Sequence, residues 1–152
     1  MNSAWVKGVL AACLLLAACG PAAAPSDPNA GKAEAAAFMA ENAKAEGVQT
    51  LPSGLQYKVI QSGPPGGESP DRNDLVKVDY EGTLTDGSVF DSSFARGTPA
   101  VFTPETVVPG WTEALQKMRV GDEWLLYLPP ELGYGEAGGG GKIPPHAALG
   151  FR

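Results

Sequence analysis

Histidine occurs once in the 152 residues, at position 146, and cysteine only at positions 13 and 19. Beyond residue 19 there is no thiol, so Cys–His and Ser–His catalysis have little to be built from. A zinc cluster would lack its nitrogen and sulfur ligands, and no metal site is expected. His146, between Pro145 and Ala147 at a strand entrance, reads as a structural hydrogen-bonding residue. Basic residues are also few: 11 Lys and Arg stand against 17 Asp and Glu, a formal net charge of −6. An acidic chain without a basic stripe repels phosphate backbones, so nucleic acid is not expected as a partner. The glycine run Gly138–Gly141 has no Lys-Ser/Thr after it and no helix, which makes it a surface loop rather than a phosphate cradle. Long apolar runs are missing too, since Val9–Ala18 falls short of the ~20 residues needed to span a bilayer. What is present suffices for one domain with accessory segments, because 43% of the residues are apolar.

The amino-terminal stretch has a processing pattern. Lys7 supplies a positive charge, the apolar run follows, and Leu16-Ala17-Ala18-Cys19 resembles a bacterial lipobox. That resemblance implies a signal peptide over residues 1–18 and lipidation of Cys19, which becomes the first mature residue. Two or more acyl chains give stable membrane anchoring where one is marginal. Gly20, in place of the Asp that retains Gram-negative lipoproteins at the inner membrane, points to the periplasmic face of the outer membrane. Residues 19–29 then form a tether of small residues and proline. Residues 30–47 read as an alanine-rich helix with Gly47 as its stop. Its large apolar residues are only Phe38 and Met39, which favours a solvated spacer over a remnant dimerisation helix.

Residues 51–152 carry the folded domain. Gly54–Ile60 is rich in β-formers. Val76, Val78, Tyr80 and Leu84 share one face of an alternating strand, and Asp86-Gly87 predicts a hairpin turn with positive φ at both residues. Val89 and Phe90 lie on the return strand, Asp91–Pro99 reads as a polar loop, and Val101-Phe102 is extended. Trp111, Leu115 and Met118 make one short amphipathic helix between Pro109-Gly110 and Gly121. Glu123–Leu128 is another strand, and a last one begins at Ala147. Antiparallel strands with a short helix give an α+β fold. With catalytic nucleophiles scarce, the remaining signal is aromatic: aromatic residues stand at strand ends and loops, where they can form an apolar dish.

Five stretches in order resemble the FKBP family of peptidyl-prolyl cis-trans isomerases. They are Val78–Gly82, Gly87–Ser93, Val107–Trp111, Pro129–Gly135 and Ile143–Ala147. Phe38–Asn42 and Ser53–Tyr57 resemble the lead-in of periplasmic relatives. The resemblance implies a curved five-stranded antiparallel sheet wrapped on the short helix. It also implies a pocket floored by Trp111 and walled by Tyr80, Phe90, Phe102, Val107, Val108, Ile143 and Phe151. Asp91 and Tyr134 would be the catalytic polar groups at the rim, with Asp91 orienting Tyr134, biasing the substrate carbonyl or capping the loop at Ser92 and Ser93. The Val108 N–H would hold a substrate carbonyl.

The expected activity is isomerisation of X–Pro bonds in unfolded or partly folded envelope proteins, without a cofactor and with macrolide-type inhibitors. A non-catalytic chaperone-like or ligand-binding module is the alternative. Departures from the family pattern are the Gly138–Gly141 run in the rim loop, Gly150 in the last strand, and that strand's length. The family's last strand is central and runs beyond the position of Phe151, so the sequence reads as carboxy-terminally truncated.

Overall fold

The computed structural model describes residues 29–152. The expected signal peptide, Cys19 and nearly all of the tether lie outside that range. Helix α1 spans Ala30–Asn42, and a two-residue strand β1 follows at Gln49–Thr50. Next come β2 (Gln56–Gln61), β3 (Val76–Val78), β4 (Glu81–Leu84), β5 (Val89–Ser92), the short helix α2 (Ser93–Arg96) and β6 (Ala100–Phe102). Helix α3 (Pro109–Leu115), β7 (Glu123–Leu128) and β8 (Leu149–Phe151) complete the domain. One sheet has the order β1-β2-β7-β8-β4-β5, and β3 and β6 form a separate pair. Every pairing is antiparallel. The fold is the expected α+β arrangement of a short helix against an antiparallel sheet, with six strands in the main sheet once β1 is counted.

The core follows from alternation. On β7, Trp124, Leu126 and Leu128 are buried while Glu123, Leu125 and Tyr127 are not. The inward set packs with Trp111, Ala114 and Leu115 of α3, joined by Leu55, Leu149 and Phe151. Gly110 permits the close approach of α3 to the sheet, because a Cβ there would stand 2.5 Å from Leu128 Cγ. Helix α3 stops at Leu115, so Met118 reaches the core from the turn beyond it.

The alternating segment from Val76 to Leu84 is two strands in different sheets. Ser93 causes the break: its N–H donates to the Tyr80 carbonyl (2.9 Å), and its Oγ accepts from Tyr80 N–H (2.9 Å). That hydroxyl in turn donates to Asp79 (2.9 Å), so a fully buried serine takes the place of a ladder partner. The hairpin turn also differs from expectation. Only Gly87 has positive φ (84°), and Asp86 instead accepts from the N–H (2.9 Å) and hydroxyl (2.6 Å) of Ser88. That is a three-residue connection closing on a left-handed glycine. The segment expected as a polar loop holds α2, whose amino terminus is capped by Ser92 Oγ accepting from Ala95 N–H (3.3 Å). Strand β8 starts at Leu149, two residues later than expected. His146 sits before it with φ 58°, its N–H donating to the Gly135 carbonyl (2.9 Å).

Helix α1 ends at Asn42, short of Glu46, and buries Ala35 and Met39 against Ala148, with Phe38 and Tyr127 alongside. Gln56 ties it down: its Nε2 donates to the Met39 carbonyl (2.8 Å) and its Oε1 accepts from Asn42 Nδ2 (2.8 Å). Among the described residues no helix is long and apolar enough to cross a membrane.

Candidate functional site

Trp111 is the centre of the site. The Val108-Pro109-Gly110 entry fixes it, since Pro109 occupies the first helical position and Val108 accepts the Trp111 N–H (2.9 Å). Its indole is only 7% exposed and meets three rings edge-on: Tyr80 (centroids 5.1 Å, 86°), Phe102 (5.4 Å, 63°) and Phe151 (5.1 Å, 81°). Phe90 joins through Phe151 (5.6 Å, 90°). Edge-to-face packing of this kind contributes about 0.5–1.5 kcal/mol per pair beyond burial. Gly82 makes room for it, because a Cβ there would come 2.5 Å from Phe90 Cζ and 2.9 Å from Phe151. Ile143 is buried in the same cluster, and Val107 and Val108 pack against it half-buried. All eight residues expected to floor and wall a pocket are therefore in one apolar group.

The polar rim differs in its partners. Asp91, on β5, accepts hydrogen bonds from the Tyr80 hydroxyl and from the Arg96 guanidinium. Arg96 Nη2 also donates to the Tyr80 hydroxyl (3.3 Å), and the guanidinium carbon stands 5.6 Å from the centre of that ring. Asp91 thus organises Tyr80, not Tyr134, and the capping role falls to Ser92. The Tyr80 hydrogen bond is the main cause holding the Asp91 carboxyl below its ordinary value, with Arg96 adding to it and partial burial opposing. Burial, followed by the Asp91 bond, raises the Tyr80 phenol, so a neutral donor faces a charged acceptor. Arg96 was not legible from the motifs. Its one signal is a basic side chain in the last turn of α2, five residues after Asp91.

Tyr134 stands apart from the ring cluster. It is 43% exposed and its ring lies on Gly139, where a Cβ would come within 2.8 Å. The backbone exchange between Gly139 and Ile143 (3.0 Å each way) closes that loop. Tyr134 therefore belongs to the loop that carries Ile143, at the outer edge of the dish. Lys142 Nζ reaches the Phe90 carbonyl at 3.5 Å, linking that loop to β5. Among the described residues no group of His, Cys, Asp and Glu is placed to hold a metal. The site can present a shaped apolar floor, a neutral phenol and a fixed carboxylate–guanidinium pair. It holds no activated nucleophile.

Comparisons with known proteins bear on the family and the fold. A family model described as "FKBP-type peptidyl-prolyl cis-trans isomerase" matches residues 66–152, and one described as "Domain amino terminal to FKBP-type peptidyl-prolyl isomerase" matches residues 22–59. The chain is 52% identical over 116 residues to the peptidyl-prolyl cis-trans isomerase Mip of Coxiella burnetii, covering 76% of this chain and 50% of that protein. It is 53% identical over 119 residues to the FKBP-type 22 kDa peptidyl-prolyl cis-trans isomerase of Escherichia coli, covering 78% and 57%. The crystal structure of FkpA from Escherichia coli superimposes with a TM-score of 0.75 at 43% identity, over 80% of this chain and 55% of that one. A peptidyl-prolyl cis-trans isomerase from Pseudomonas syringae superimposes with a TM-score of 0.76 at 35% identity, over 84% and 92%. The chain spans about half the length of the curated relatives it matches.

Proposed function

The chain belongs to the FKBP-type peptidyl-prolyl cis-trans isomerase family, and from that premise we propose that it isomerises X–Pro bonds in unfolded or partly folded envelope proteins. The observation that carries this reading is the Trp111 dish, closed by Tyr80, Phe90, Phe102 and Phe151 and edged by the Asp91–Tyr80–Arg96 group. Rotation about X–Pro is slow because amide resonance must be lost, at a barrier of about 20 kcal/mol. No bond to carbon breaks, so neither nucleophile nor cofactor is needed. The protein has only to bind the twisted amide better than either planar form. A proline ring on the indole floor anchors one side of the bond. The Val108 N–H takes the carbonyl on that anchored side. The twisted amide has lost part of its dipole, and an apolar dish accepts it at less cost than the planar form. Asp91 fixes Tyr80, and Tyr134 offers a hydroxyl at the outer edge.

A protease-coupled assay on a proline peptide tests this. Folded protein is expected to accelerate the slow phase, and a macrolide that fills the dish is expected to abolish the acceleration. Peptide binding without acceleration would favour the non-catalytic chaperone-like module instead.

The location reading rests on other residues. The outer membrane protein MIP of Legionella longbeachae is 47% identical over 121 residues, which supports an envelope location. Anchoring through lipidated Cys19 at the periplasmic face of the outer membrane rests on Leu16–Cys19. Changing Cys19→Ser is expected to move the protein from the membrane to the soluble fraction, and unchanged membrane recovery would count against the anchor.

A further inference from the structure

The glycine run Gly138–Gly141 leaves the rim loop short of side chains. Between Tyr134 and Ile143 the loop offers only Glu136, Ala137 and Lys142. Gly140 and Gly141 both take positive φ (58° and 68°) and turn the chain back, so that Lys142 N–H donates to the Gly139 carbonyl (3.2 Å). With the Gly139–Ile143 exchange, this fixes the Lys142 backbone next to Ile143, which is buried in the dish wall. The Lys142 ammonium then stands 3.5 Å from the carbonyl of Phe90, a second wall residue. It therefore bridges two wall residues that come from different elements, the rim loop and β5.

Nothing neutralises its charge there. The ion pairs among the described residues are Lys44–Glu41, Arg96–Asp91 and Arg152–Glu123, and Lys142 enters none of them. Asp91 follows Phe90 directly but is already held by Tyr80 and Arg96. An ammonium has three donors, so the bond to one neutral carbonyl leaves two, on an exposed side chain. The charged side chains hydrogen-bonded to dish walls are Asp91, Arg96 and Lys142, which leave one positive charge. The whole chain has a formal net charge of −6, so its general field repels acids while this one spot attracts them.

The direction of the substrate follows from Val108. Its N–H takes the carbonyl on the proline side of the bond. The residue before the proline then leaves the dish past the remaining walls, Phe90 and Ile143, where the loop presents bare glycine and the Lys142 ammonium. We propose that Lys142 is a specificity-determining residue that selects X–Pro segments with an acidic residue immediately before the proline. The carboxylate of that residue takes the free Lys142 donors. This deepens the isomerase reading and rests on it.

Cis–trans exchange spectroscopy with the full chain on acetyl-Ala-Xaa-Pro-Phe-amide, with Xaa as Glu, Gln or Lys, tests this. At low salt kcat/KM is expected to be about threefold higher for Glu than for Gln, the size of an exposed ion pair, and lowest for Lys. The Glu-to-Gln ratio is expected to fall towards one as ionic strength rises from about 0.01 M to about 1 M. Lys142→Gln is expected to bring the ratio to one or below, Lys142→Glu to invert it, and Lys142→Arg to keep it. Each ratio is taken within a single protein, so a general change in activity cancels. Peptide affinities followed by tryptophan fluorescence yield the same ratio if turnover is absent, which keeps failure here separate from failure of the isomerase reading. A wild-type ratio of one at low salt, or an unchanged ratio in Lys142→Glu, would overturn the proposal. So would a preference found only for an acid after the proline, in acetyl-Ala-Gln-Pro-Glu-amide against its Gln counterpart.

Discussion

The ring cluster around Trp111 and the seam beneath α1 are held by different means. On the dish side the backbone is satisfied: Tyr80 and Ser93 exchange bonds, β4 pairs with β5, and Asp91 is held by Tyr80 and Arg96. A ligand there meets shape and a few fixed polar atoms. On the α1 side Ala35 and Met39 pack against Ala148, and Gln56 supplies two side-chain hydrogen bonds that hold the helix to the sheet.

The comparison breaks most completely if the indole floor is removed. Trp111→Ala is expected to cost about 3–5 kcal/mol of stability and to abolish isomerisation. A denaturant midpoint with the proline-peptide assay reads this, and undiminished turnover would show that the indole is not the floor of the site. Gln56→Ala acts on the α1 side. It removes the two bonds that hold α1 and leaves the Met39 carbonyl without its side-chain donor, at about 1–3 kcal/mol. Faster hydrogen exchange in Ala30–Asn42 is expected, with turnover unchanged.

Asp91→Asn sharpens the contrast from the dish side. A fall of about tenfold in kcat/KM, about 1.4 kcal/mol, is expected with hydrogen exchange in Ala30–Asn42 unchanged. Its pH signature follows from the depressed carboxyl. The bonds from Tyr80 and Arg96 stabilise the fold in full above the unfolded-state value. That contribution is lost only as pH falls through the lower folded-state value. The stability gap between wild type and D91N is therefore constant from about pH 7 to 5 and closes below about pH 4. A gap that closes on raising the pH would contradict this assignment. Arg96→Ala is the smallest change: its side chain is 47% exposed, and about 0–1 kcal/mol is expected in a thermal melt.

Six of the eight dish residues lie in motifs that fix both type and order, while Phe102 and Phe151 lie outside those stretches. Val108-Pro109-Gly110-Trp111 is at once a helix start, a close approach and a floor, so four letters determine one geometry. The β7 alternation was legible for the same reason, since each letter has only two faces to choose from. What escaped depended on contacts across the sequence. The division of Val76–Leu84 into two sheets is imposed by Ser93, which lies in a different segment and reads there as an ordinary polar residue. The Asp91–Tyr80–Arg96 group joins three elements, and the motif containing Asp91 ends before Arg96. Ala-rich α1 reads as solvated because Ala35 shows little hydrophobic weight, although burial against Ala148 and Tyr127 needs only a small side chain.

The central claim is that the Trp111 dish lowers the barrier to X–Pro rotation. Exchange spectroscopy on a short proline peptide, with a catalytic amount of the chain, measures this without a coupling enzyme. The account predicts cis–trans exchange cross-peaks that appear with the wild-type protein and vanish when a macrolide is added or when Trp111 is replaced by Ala. Line broadening from peptide binding with no cis–trans exchange, in protein shown to be folded, would contradict it.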